Sequence, residues 1–113
     1  MTLTIEGKIY QGILEANDSA EAFASLLPTT LTMKELNENE KYIYLDQNIR
    51  KDEPTIPSSI KAGDLMLFSD NCVVFFYQDF TTNYSYVPLG HFDIDETFSQ
   101  RVSKGNVLAA FSL

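Results

Sequence analysis

Few side chains in this sequence are equipped for proton transfer or covalent chemistry. His91 is the only histidine and Cys72 the only cysteine in 113 residues. An imidazole titrates near neutrality and can move a proton, but a general base needs a partner within hydrogen-bond reach. His91 stands in the run LGHFD, which reads as a strand end at the surface. Cys72 is followed by VVFFY, an apolar setting that keeps a thiol protonated and inert. With no further histidine or cysteine there is no zinc signature. Asp93, Asp95 and Glu96 form D-x-D-E, whose oxygens suit a hard cation. The turn glycine and distal glutamate of a calcium loop are missing, so the run reads as a solvated acidic turn. Asp64, in AGD, is expected to order the turn before its strand. No glycine-rich phosphate loop, G-x-S-x-G elbow or dinucleotide fingerprint occurs. No catalytic residue, metal or cofactor is expected.

What remains is a set of groups suited to binding. Met33, Glu35, Tyr42, Tyr44, Phe80, Tyr84 and Tyr86 fall near the ends of alternating runs. Alternation places Tyr84 with Tyr86, Tyr42 with Tyr44, and Met33 with Glu35. Tyrosine brings an apolar ring and a hydroxyl, both useful in a cleft. The expected ligand site therefore draws on Met33, Glu35, Tyr42, Tyr84 and Tyr86, with Glu35 favouring a cationic or hydroxyl-bearing group. The competing reading is ordinary packing with the hydroxyls at the rim.

These groups must be positioned by short elements. Thr2 to Glu6 and Ile9 to Glu15 alternate as strands do, and Gly7-Lys8 reads as the turn between them. Asp18 with Glu21 fits a capping box, with Ser19 an equal candidate for the cap. Ala20, Phe23, Ala24 and Leu27 then share one helical face, and Pro28 ends a helix of about two turns. Such a helix needs tertiary packing to persist. Thr29 to Leu36 alternates, Asn37-Glu38-Asn39 turns, and Tyr42 and Tyr44 face away from Ile43 and Leu45. Residues 46 to 62 are polar, carry Pro54 and Pro57, and form the longest stretch without periodicity; such loops are often functional or mobile. Asp64 to Ser69 reads as a strand and Asp70-Asn71 as a hairpin turn. Cys72 to Tyr77 is almost wholly apolar, as a strand covered on both faces would be. Phe80 to Leu89 is an aromatic strand region broken at Thr81-Thr82-Asn83. Asp95 to Ser103 suits a helical turn and Asn106 to Phe111 a closing strand. About eight short strands and one early helix imply a mainly β fold, a closed antiparallel barrel.

Three segments carry a family resemblance: SAEAFASLLPTTLTMKELNENEKYIYL from Ser19, IKAGDLMLF from Ile60 and FTTNYSYVPLG from Phe80. Through them nearly the whole chain resembles the bacterial cyclophilin-like family of small single-domain β-barrels. That resemblance implies a cyclophilin-like barrel with the one well-formed helix inside residues 18–28. Cyclophilins that isomerise X-Pro bonds pair an arginine, placed after Phe-His, with an apolar pocket and a Phe-Met-x-Gln-Gly-Gly run. Neither stretch is present. The only arginines, Arg50 and Arg101, lie in polar segments. The expected role is a non-enzymatic binding module for a small molecule or an extended peptide; the alternative is a divergent peptidyl-prolyl isomerase.

Composition sets the outer bounds. One domain is expected at this length, and a hydrophobic fraction of 44% is enough for one barrel core. Eight basic against sixteen acidic residues give a net charge of −8. Without clustered Lys and Arg, nucleic acid and anionic membranes are poor partners. A single cysteine excludes an intrachain disulfide. The N-terminal run MTLTIEGKIY lacks the basic start and apolar core of a signal peptide. Cytoplasmic residence is expected, although a chain trimmed from an exported precursor would read the same way.

Overall fold

The computed structural model describes residues 1–113. In chain order the elements are β1 (Thr2–Ile5), β2 (Lys8–Leu14), α1 (Asp18–Ala24), β3 (Thr29–Leu36), β4 (Glu40–Tyr44), β5 (Asp64–Phe68), β6 (Cys72–Phe76), β7 (Tyr86–Phe92), α2 (Phe98–Val102) and β8 (Val107–Ser112). The strands close into a barrel in the order β1-β2-β7-β5-β6-β4-β3-β8, and β8 pairs back onto β1. Every pairing is antiparallel. Closure leaves no unpaired edge for another chain to add to. No helix is long and apolar enough to cross a membrane.

Three local expectations are corrected. The β1–β2 turn is Glu6-Gly7, one residue earlier than Gly7-Lys8. Both residues have positive φ, 50° and 79°, and Lys8 already pairs with Ile5. A two-residue hairpin of this hand needs left-handed backbone at both positions, which suits glycine at the second.

The helix cap is Asn17, not Asp18 or Ser19. Asn17 is extended (φ −141°, ψ 167°) and its Oδ1 accepts from the Ala20 N–H at 2.8 Å. Ser19 serves another purpose. Its backbone N–H and its hydroxyl both donate to Asp52 Oδ2, at 2.8 and 2.6 Å, and its Oγ accepts from the Lys51 N–H. The long irregular stretch is thereby tied to the helix. Its Ile49 and Ile60 are buried, and backbone bridges join Thr55 to Tyr86 and Ile60 to Phe80.

The third correction concerns Phe80 to Leu89. The strand begins only at Tyr86, and Phe80 is held by its single bridge to Ile60. The intervening polar residues bond locally instead, as when the Tyr84 N–H donates to Thr82 Oγ1.

Two apolar layers result. The barrel interior holds twenty buried residues, among them Phe23 from α1, Met33, Phe75 and Phe111. Phe23 meets Phe111 edge to face at 5.4 Å. A second cluster of six, Ile60, Met66, Cys72, Val74, Phe76 and Tyr86, lies on the other side of the same wall. β6 belongs to both. Val73 and Phe75 face the interior, Cys72, Val74 and Phe76 face outward, and all five are buried. The uninterrupted apolar run is the sequence signature of this double burial.

Candidate ligand cleft

The outer layer is only partly covered, and the uncovered part is a cleft. On β4, the alternation of E-K-Y-I-Y sends Glu40, Tyr42 and Tyr44 outward and Lys41 and Ile43 inward. In the β4–β6 register these outward residues stand opposite Phe76, Val74 and Cys72. Phe68 of β5 pairs with Tyr86 of β7 and extends the floor. The β3–β4 turn brings Asn39 to one end, and the loop before β7 brings Phe80, Thr82 and Tyr84 to the side. The enclosed volume is about 470 Å³, and six aromatic rings line it: Tyr42, Tyr44, Phe68, Phe80, Tyr84 and Tyr86. Ring pairs hold one another at ordinary edge-on distances, Phe68–Tyr84 at 5.8 Å and Tyr42–Tyr44 at 6.0 Å. Tyr84 is 66% exposed, whereas Tyr86 is buried beneath it.

Glu40 is the outlier in this lining. It is only 7% exposed, and its carboxylate has no ion pair or hydrogen bond within the protein. Burial pushes its pKa up to about 7, and the charge of Glu35 adds to the rise. Next to it, the Oδ1 of Asn39 is buried with no hydrogen-bond partner. The Cys72 thiol is pushed up to about 11 by burial, with the Glu40 charge contributing in the same direction. A thiol so placed stays protonated at neutral pH, which disfavours it as a nucleophile. Burial likewise takes the Tyr86 hydroxyl up to about 12.

Of the five residues expected at the ligand site, the cleft brings together Tyr42, Tyr84 and Tyr86. Met33 and Glu35 do share a face, but it is the interior one. Met33 is fully buried in the barrel core. Glu35 pairs across the hairpin with Lys41, not with Tyr42, which stands opposite Lys34. Its carboxylate accepts from Lys41 Nζ at 2.9 Å, Tyr77 Oη at 2.6 Å and the Glu38 N–H at 2.6 Å. Burial alone would raise the Glu35 pKa; these hydrogen bonds outweigh it and hold the group below its ordinary value. Lys41 Nζ also donates to the Gly105 carbonyl. Glu40, Asn39 and Phe68 were missed. The signal for Glu40 was present, since it shares the period-two face of Tyr42 and Tyr44.

The remaining candidates lie outside the cleft. His91 Nδ1 is 2.7 Å from Asp64 Oδ1, an exposed pair. Asp64 also accepts from the Lys61 N–H and so orders the turn at Gly63, as the sequence suggested. That turn requires glycine: φ is +100°, and a Cβ would lie 2.5 Å from the Phe92 carbonyl oxygen. Asp95 accepts from the Thr97 N–H and hydroxyl and pairs with Lys8 at 3.3 Å. His, Cys, Asp and Glu side chains nowhere gather in threes. Arg50 is engaged with Asp70 at 2.9 Å, and Arg101 donates to the Tyr10 hydroxyl at 3.1 Å.

The sequence matches the cyclophilin-like family over residues 3–112. No curated protein and no solved structure matches it significantly. The chain belongs to the cyclophilin-like family.

Proposed function

We propose that this member of the cyclophilin-like family is a non-enzymatic binding module whose ligand is a small molecule held in the aromatic cleft outside the barrel. One observation carries the reading. A cleft of about 470 Å³ combines six aromatic rings with a buried, unpartnered carboxylate. The size and the mixture of apolar lining with few polar groups suit a small ligand. Burying a lone carboxylate is costly, and folding by itself gives no return for it. A small molecule fits better than an extended peptide docking by strand addition, because a closed barrel offers no free edge.

The isomerase alternative lacks support in the cleft, since neither arginine lines it. In a protease-coupled peptide assay the protein should leave cis-to-trans conversion at its uncatalysed rate. Acceleration abolished by Arg50→Ala or Arg101→Ala would restore the isomerase reading. The direct test of binding is chemical-shift mapping against a fragment library. Hits should perturb Tyr42, Tyr84 and Tyr86; shifts confined to residues 46–62 would place the site there and leave the tyrosines as packing.

A further inference from the structure

The two polar groups left without partners define what the cleft would hold. Glu40 offers a carboxylate and Asn39 an amide oxygen; both accept hydrogen bonds, and neither receives one. No lysine or arginine lines the cleft. Lys41 is adjacent in sequence, but alternation turns it to the opposite face, where it is fully buried against Glu35. The protein thus brings a carboxyl group into an aromatic enclosure and withholds the cation that would favour its ionised form. The rings reinforce this polarity, because the faces of Tyr and Phe carry partial negative charge and attract cations.

We propose, building on the reading of the cleft as a small-molecule site, that its ligand is a primary organic ammonium ion on an apolar body. The Glu40 carboxylate receives its N–H groups, with the Asn39 amide beside it, and the tyrosine and phenylalanine rings cover the rest. A metal ion does not fit, because the lining supplies a single carboxylate and its other side-chain oxygens are neutral amides and hydroxyls. A quaternary ammonium fits less well, because it has no N–H to give Glu40. A neutral ligand would give the ionised Glu40 no counter-charge.

The test uses the isotope-labelled full chain, titrated separately with phenethylamine and with phenethyl alcohol, its neutral isostere. Phenethylamine should shift the amides of Asn39, Glu40, Tyr84 and Tyr86, and should bind at least about tenfold more tightly than the alcohol. Glu40→Gln, which keeps the shape and removes the charge, should reduce the amine to the alcohol's level. Tyr84→Ala, at an exposed position that the fold does not depend on, should weaken the amine as well. Equal binding of amine and alcohol, or a preference that survives Glu40→Gln, would overturn the ammonium assignment and leave the cleft as a binding site. So would a trimethylated analogue that matches the primary amine. Silence of the amine while other library fragments occupy the cleft would remove only the ammonium assignment. Silence of amine, alcohol and library alike would remove the binding reading with it.

Discussion

Glu35 and Glu40 stand five positions apart on one hairpin and meet opposite fates. Glu35 faces the barrel interior and accepts three hydrogen bonds, one of them from a fully buried lysine. Glu40 faces the outer cleft, is more deeply buried, and accepts none. An odd spacing across a tight turn places them on opposite sides of the same wall. A carboxylate that the fold uses is surrounded by donors. One that the fold leaves bare is either an error of packing or a reserved contact, and the aromatic enclosure argues for reservation. The interior is finished chemistry and the outer face is unfinished.

The sharpest way to establish the interior half of this contrast is Phe23→Ala. It empties a fully buried aromatic site against Phe111 and should cost about 3–5 kcal/mol by denaturant titration; a loss below about 1 kcal/mol would mean that Phe23 is not core. Lys41→Met should follow at about 3 kcal/mol, because it strips Glu35 of its buried cation and leaves the carboxylate to Tyr77 and the Glu38 N–H. A neutral outcome there would mean that the interior pair is dispensable.

Glu40→Gln should act in the other direction. The folded-state pKa of Glu40 is raised from 4.5 to about 7, so folding favours its protonated form. Its destabilising charge is therefore absent below the unfolded pKa, grows as pH rises, and is complete above about 7. Near pH 8 Glu40→Gln should be more stable than the parent by about 1–3 kcal/mol, with the difference fading toward pH 5. Glu35, Cys72, Tyr77 and Tyr86 are the titratable groups that bear on it. Glu35 has the reverse sign: its depressed pKa adds stability above the unfolded value that is lost in acid. Stability should thus pass through a maximum in mildly acid solution; a monotonic rise from acid to pH 8 would break the contrast between the two carboxylates. The smallest effect belongs to Tyr84→Ala, which should change stability by less than about 0.5 kcal/mol while weakening any cleft ligand. A large stability loss would make that ring structural.

Much of this was legible in the sequence because period-two alternation is a local property. It placed the strands, sorted Tyr42 and Tyr44 from Ile43 and Leu45, and marked Cys72 to Tyr77 as buried on both faces. Alternation fixes which residues share a face but not which face two strands have in common. Met33 and Glu35 were correctly grouped and set on the wrong side, because Glu35 meets Lys41 only once the register across residues 37–39 is known. The cap at Asn17 was missed for a related reason: Ser19 looked free to cap the helix until Asp52, thirty-three residues away, claimed it.

β6 has a practical consequence. Its odd positions 73 and 75 belong to the barrel and its even positions 72, 74 and 76 to the outer layer. One strand therefore separates two design problems by parity. A library varying only Cys72 and Val74 on β6, which line the cleft, together with Phe68 on β5, could retarget the cleft toward new ligands while the residues that close the barrel stay untouched. The same parity would let a lineage diversify its ligands without renegotiating its architecture.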